Sequence, residues 1–251
     1  MQRRSLGGLL LDRSIPALLT EIERTLTSVE PLASYLPAPI LNLLVETAAR
    51  RRIPPEFPEP TIMFVNLLGL SEAFERAQPE EHATIVATFS RAMALINAAV
   101  ETRGGVLRKI TYHLAGSDMM IYFGVPNAHT NDVERAASAA LAIREALQNL
   151  APPQVGGEAL PLTCQIGLAQ GPVFAAEIGE PRGRREFNIL SDTVNTAARL
   201  MSKAAKGQVL ISEAVYQHAQ RRFECAPLGA LALKGKAAPV PIYALARAHE
   251  A

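Results

Sequence analysis

The chain has 251 residues, with 25 Lys plus Arg against 24 Asp plus Glu, so its formal charge is +1. Apolar residues make up 49% and charged residues 20%; this excludes intrinsic disorder, which needs low hydrophobicity and high net charge. The near-neutral balance argues against broad binding to nucleic acid or anionic membrane, which needs a basic excess, and a chain this long can bury a substantial core.

At the N-terminus, Arg3-Arg4 precedes an apolar patch in the manner of a secretory signal. The patch stops at Asp12 after six residues, and no small-residue cleavage site follows, so no signal is expected. No uninterrupted apolar run approaches the roughly 20 residues that span a bilayer. Cys164 and Cys225 lie in no CxxC or metal spacing, so a disulfide framework is not expected and a reducing cytoplasm is the default location.

Residues 1–50 read as a helical extension. Leu18, Leu19, Ile22 and Leu26 fall at helical spacing, as do Ile40, Leu43, Leu44 and Val45, with Pro37 and Pro39 between the two segments. Residues 51–60 hold Pro54, Pro55, Pro58 and Pro60, a stiff extended linker; the triplet Arg50-Arg51-Arg52 before it reads as a solvated helix end. The third segment, 61–246, opens with a short apolar run at 61–68 that suits a strand buried on both faces. A helix follows over 79–102, with Ile85, Phe89, Met93, Ile96 and Val100 on one stripe, and Gly104-Gly105 stops it. Strands are expected at 106–113 and 118–123 around a Gly116-Ser117 turn, then a helix over 133–150 and a loop over 151–161. Strands at 162–169 and 172–178, a basic turn, and a short strand near Phe187 come next. A helix over 192–204, a strand at 208–211, a helix over 212–218 and a final strand end the chain. Strand, helix, strand, strand, helix, strand is the α+β, ferredoxin-like βαββαβ plan, with helices on one face of an antiparallel sheet.

Within 184–200, Asn195 and Arg199 are four residues apart and share a helix face, and Ser191-Asp192 supplies an N-cap. An Arg contacts phosphate bidentately and an Asn orients a hydroxyl or ring oxygen. Taken alone, such a pair reads as a solvated face. The ensemble says more. Four segments, 61–75 (TIMFVNLLGLSEAFE), 104–135 (ending FGVPNAHTNDVER), 166–199 (IGLAQGPVFAAEIGEPRGRREFNILSDTVNTAAR) and 228–245 (LGALALKGKAAPVPIYAL), occur in one order. Through them the chain resembles the class III adenylate/guanylate cyclase catalytic domains over about residues 60–246.

The resemblance implies a dimeric site in which one domain gives two carboxylates for Mg²⁺ or Mn²⁺ and the other an Asn and an Arg that steady ribose and triphosphate. On this sequence that Asn and Arg fall on Asn195 and Arg199. Asn188 and Ile189 fall on the strand that flanks the purine. The two metal positions fall on Asn66 and Ser117, neither a carboxylate, and a neutral amide is a poor Mg²⁺ ligand beside a triphosphate. Asp118 adjoins Ser117, but a one-residue shift in a strand points to the opposite face. About four extra residues lie between Gly105 and Gly116, a form that resembles the degenerate second cyclase domain of tandem soluble adenylyl cyclases. That form places the base-contacting lysine at Lys109; the commoner spacing would place it at His113. Lys234, in the Leu233-Lys234-Gly235-Lys236 turn, falls where a family lysine approaches phosphates, though a plain turn explains it equally. Arg182, Arg184 and Arg185 read as either an electrostatic lure for nucleotide or a solvated turn. His82, His129, His218 and His249 show no metal spacing and no P-loop occurs, so neither zinc nor a P-loop ATPase is expected.

Two functions follow from the resemblance. One is half of an ATP-to-cAMP site, completed by a metal-competent domain in a heterodimer. The other is a catalytically silent pseudo-cyclase, a regulatory or dimerisation module. A ferredoxin-like nucleic-acid binder is disfavoured by the neutral charge and the lack of stacking aromatics on the middle strands.

Overall fold

The structure, a computed structural model, describes residues 14–33, 36–47, 53–113, 115–180, 185–232 and 238–249. It separates into two units, Met1–Glu46 and Thr47–Ala251. In the first unit, α1 (Ile15–Ala33) carries Leu18, Leu19, Ile22 and Leu26, all exposed, and α2 (Ala38–Glu46) follows Pro37. The Arg50-Arg51-Arg52 triplet lies outside the described residues.

The second unit is built on β1 (Thr61–Leu68), a mostly apolar strand that is buried on both faces. β1 pairs antiparallel with β3 (Gly116–Phe123) on one side and β6 (Thr163–Gln170) on the other. The remaining strands of the seven-stranded sheet are β2 (Val106–His113), β9 (Val209–Ser212), β10 (Phe223–Leu231) and β11 (Val240–Ala248), in the order β10-β11-β9-β6-β1-β3-β2. Within 61–179 the pairings are antiparallel as expected, and β9, beyond that stretch, adds to β6 in parallel.

Strand alternation sorts the helices. Met63, Val65, Leu67, Met119, Ile121, Phe123, Ile166 and Leu168 face one side and form the main core with α4 (His82–Glu101), α5 (Asp132–Gln148) and α7 (Glu213–Ala219). Gly167 and Leu210 alternate with core residues and face the other side, where α6 (Asp192–Lys203) lies. The βαββαβ plan expected over 61–179, with helices on one face, is met by α4 and α5; beyond that stretch α7 joins the same layer and α6 lies on the other face. Periodicity along α6 shows that it has an apolar face, and only the sheet's alternation decides which layer it joins.

Other differences are local. Gly116 and Ser117 belong to β3, not to the turn, because His113 pairs with Gly116. The loop over 151–161 contains a two-residue ladder, β4 (Gln154–Val155) with β5 (Glu158–Ala159). A short helix, α3 (Leu70–Arg76), follows β1, and β10 fills a stretch to which the sequence assigned no element. Residues 79–101, with a 3-10 turn at Pro79–Glu81 ahead of α4, are long and apolar enough to cross a membrane by length and hydropathy. The buried Ala92, Ile96, Ala99 and Val100 of that stretch pack into the sheet core.

β7 (Phe174–Gly179) and β8 (Arg185–Leu190) form a separate two-stranded ladder. The proline-rich segment is docked along it. Glu56 exchanges two backbone hydrogen bonds with Ala175, and Val173 donates to Pro58. The rings of Phe57 and Phe174 stand 5.3 Å apart.

Candidate functional site

The face of the sheet that carries α6 also carries two rows of side chains across β1, β3 and β2. Direct cross-strand partners share a face. One row is Phe64, Met120 and Lys109; the next is Asn66, Asp118 and Thr111. Lys109 reaches this face only through a β-bulge. Leu107 pairs with Ile121 and Lys109 with Met120, leaving Arg108 as the extra residue. In an unbroken ladder Lys109 would oppose Met119 and point into the core.

On β8, Glu186 and Asn188 alternate with the buried Phe187 and Ile189 and so lie together on the opposite face. Phe64, Lys109, Thr111, Asp118, Met120, Glu186, Asn188 and the bulged Arg108 enclose a cavity of about 270 Å³. Two residues singled out from the sequence, Lys109 and Asn188, thus meet in one cavity. Asn188 is oriented, because its Oδ1 accepts the Ile189 N–H at 2.8 Å. Ile189 does not line the cavity; it is 3% exposed and points the other way, as strand alternation requires. His113 shares Lys109's face but does not line the cavity, and its Nε2 stands 3.0 Å from Asp118 Oδ1.

Arg108 joins the two sheets. Its Nε and Nη2 donate to the Phe187 carbonyl at 3.0 and 2.8 Å, and Nη2 also pairs with Glu186 at 2.5 Å. The guanidinium side chain is only 19% exposed, so this contact is poorly screened. Burial pushes the neighbouring Tyr122 phenol far above its usual range, against the opposing pull of Arg108. The basic neighbour of Lys109 carried no motif, so the sequence reading passed over Arg108.

α6 begins with Ser191 as N-cap, its Oγ accepting the Val194 N–H at 3.2 Å. Its backbone lies directly on the sheet at Gly167, where an added Cβ would stand 2.3 Å from Ala197 O and Met201 N. Asn195 is exposed on this helix. One turn on, Arg199 Nη1 is buried without a hydrogen-bond partner among the described residues, 3.9 Å from Asp192 Oδ1. Neither side chain lines the cavity of Lys109 and Asn188. Lys234, Arg182 and Arg184 lie outside the described residues, and Arg185 pairs with Glu177 at 3.0 Å.

The two metal positions are occupied by groups already committed to the fold. Asn66 is 6% exposed. Its Nδ2 donates to Gln165 Oε1 at 3.1 Å and to Ala115 O at 3.4 Å, while Gln165 Nε2 donates to the Ala204 carbonyl at the end of α6. Asn66 Oδ1 is buried, without a hydrogen-bond partner among the described residues, and close enough to Gly116 that a Cβ there would stand 2.1 Å away. Ser117 pairs with Leu67 and faces away from Asn66. Asp118, expected to point away from the metal position, instead shares Asn66's face, because the register sets Asn66 opposite Asp118. Asp118 has His113 against it, and the other carboxylate of the same cavity, Glu186, is paired with Arg108. Among the described residues no group of three or more His, Cys, Asp or Glu side chains is placed to hold a metal ion. These residues do not fit a two-carboxylate Mg²⁺ site.

A βαββαβ sheet with one face that carries both the helix of the Asn/Arg pair and the Lys/Asn cavity fits a nucleotidyl cyclase type of fold. A sequence model of the adenylate and guanylate cyclase catalytic domain matches residues 54–247. The chain belongs to this family. It is 31% identical over 206 residues to adenylate cyclases of Mycobacterium bovis and Mycobacterium tuberculosis, covering 82% of this chain and 43% of each relative. The chain thus spans less than half the length of those relatives. Among solved structures, the adenylyl cyclase CyaB from P. aeruginosa superposes with a TM-score of 0.69 at 24% identity, covering 78% of this chain and 98% of that one. A bacterial light-regulated adenylyl cyclase superposes with a TM-score of 0.72 at 20% identity, covering 94% of this chain and 65% of that one. These two likenesses concern the fold.

Proposed function

We propose that the chain, as an adenylyl cyclase homology domain over 61–246, supplies the Asn/Arg half of a composite ATP-to-cAMP site. A metal-competent cyclase domain in a heterodimer would supply the carboxylates and hold the Mg²⁺ or Mn²⁺. The observation that carries the reading is Arg199. Its Nη1 is shielded from solvent and has no hydrogen-bond partner among the described residues; the Asp192 carboxylate stands 3.9 Å away, an ion pair at its outer limit. A buried guanidinium N–H left unbonded is costly, and a triphosphate oxygen is the acceptor it fits. Asn195, a turn earlier, orients the ribose. Lys109 and Asn188 receive the base, and Lys234 approaches the phosphates. In the reaction the ribose 3′-hydroxyl gives up its proton to solvent as its oxygen attacks the α-phosphorus, the bond to the bridging oxygen breaks, and pyrophosphate leaves. Two thiols free of disulfides, Cys164 buried and Cys225 half-buried, fit a cytoplasmic setting.

The test is reconstitution with a cyclase domain that has the Asp pair but lacks its own Asn and Arg. The mixture makes cAMP from ATP, and Arg199→Ala lowers the rate about 10²-fold or more, the usual loss when one charge-stabilising donor is removed. Full activity with that variant would sink the role of Arg199. A second reading, the silent pseudo-cyclase, draws on one observation. Asn66's amide is built into a hydrogen-bond relay from β1 through Gln165 to α6. Nucleotide binding without turnover in any such mixture would favour it.

A further inference from the structure

We propose that Arg108 is a positioning residue that sets the choice between adenine and guanine in the cavity of Lys109 and Asn188. The inference rests on the nucleotide-site reading above and deepens it. Its starting point is the chemistry of the two ligating groups. Lys109 offers only donors. Asn188 Oδ1 spends one lone pair on the Ile189 N–H and keeps the other as an acceptor, while Nδ2 adds donors beside it. One donor and one acceptor match the adenine edge, where the N6 amino group donates and N1 accepts. They also match the guanine edge, where O6 accepts and N1–H donates, if the two protein groups slide by about one ring atom. The pair therefore discriminates only if its spacing is held.

That spacing spans two separate sheets. Lys109 lies on β2 at the edge of the seven-stranded sheet, and Asn188 lies on the two-stranded ladder. Arg108 holds them together. Placed between strands by the bulge that turns Lys109 outward, it donates twice to the carbonyl of Phe187 and once to Glu186, the residues just before Asn188. One residue thus fixes the neighbour of the donor to the neighbour of the acceptor. The two donations to a backbone carbonyl matter most, since they locate the strand and not merely a mobile side chain. The Glu186 pairing adds a second constraint at a site 39% exposed, where an ion pair alone is weak.

The experiment is calorimetric titration of the full chain with ATP and with GTP, each with Mg²⁺, alongside thermal unfolding. Wild type is expected to bind ATP more tightly than GTP. Arg108→Met, which keeps bulk and loses all three donations, is expected to lower the ATP/GTP affinity ratio tenfold or more, with the folded state retained. Glu177→Gln, which breaks the Arg185 pair on the same ladder and leaves all three Arg108 donations in place, should change the ratio less than threefold. Arg108→Lys, which can still reach one acceptor, should fall between. An unchanged ratio in Arg108→Met overturns the inference while leaving the nucleotide site standing. So does an equal loss of both nucleotides accompanied by melting, which marks a purely structural role. Wild type binding neither nucleotide overturns the site reading itself, and is seen before any variant is made. Wild type binding both equally removes the selectivity and overturns the inference alone.

Discussion

Asn66 differs from an aspartate by one nitrogen, and the fold uses that nitrogen. Asn66 is itself 6% exposed, and its N–H groups satisfy Gln165 Oε1 and the Ala115 carbonyl. Asn66→Asp would restore a carboxylate yet set it against two acceptors. Leaving buried acceptors without a donor costs about 1–3 kcal/mol. The variant is therefore expected to lose about that much stability in urea unfolding at neutral pH, and to gain no cyclase activity alone, since Ser117 still faces away. Loss of the carboxylate was legible in the sequence from the order of residues around Gly69 and Gly116. The relay through Gln165 was not, because Gln165 and Asn66 are 99 residues apart and only the β1–β6 register makes them partners.

At the scale of elements, β2 and α6 carry the site, and each depends on one local device. In β2 the device is the bulge at Arg108, which reverses the face presented by Lys109. The extra residues between Gly105 and Gly116 were visible in the sequence and pointed to Lys109 over His113. Their conversion into a bulge was not, because bulges follow from pairing with a neighbouring strand. For α6 the device is Gly167. A methyl group there would meet the helix backbone at 2.3 Å, and backbone cannot rotate aside as a side chain can. Gly167→Ala is expected to destabilise the chain by roughly 1–3 kcal/mol, the usual range for overpacking. It should also weaken ATP binding by moving Asn195 and Arg199. Unfolding in urea and ATP titration check the two parts separately, and wild-type values in both would show that α6 lies farther from the sheet.

At the scale of the whole molecule, symmetry decides what one chain can do. A two-fold dimer of identical chains repeats each half-site. Two copies of this chain present two Asn195/Arg199 sets and no pair of metal carboxylates. The purified chain alone, given ATP with Mg²⁺ or Mn²⁺, should therefore make cAMP no faster than a buffer control. Clear turnover would mean that Asp118, on Asn66's face after all, carries metal chemistry with ligands from a second copy.

The amino-acid order by itself determined the α+β plan, the family resemblance and the candidates Lys109, Asn188, Asn195 and Arg199. Periodicity, caps and motif spacing are local properties, written within a few residues of each position. Tertiary structure alone decided which face each candidate occupies. It turned Lys109 outward, placed Asp118 beside Asn66, removed Ile189 from the cavity and put α6 on the layer opposite α4 and α5. The physical reason is that a strand has two faces, and one residue of register or one bulge exchanges them. Register is set by hydrogen bonds to strands distant in sequence.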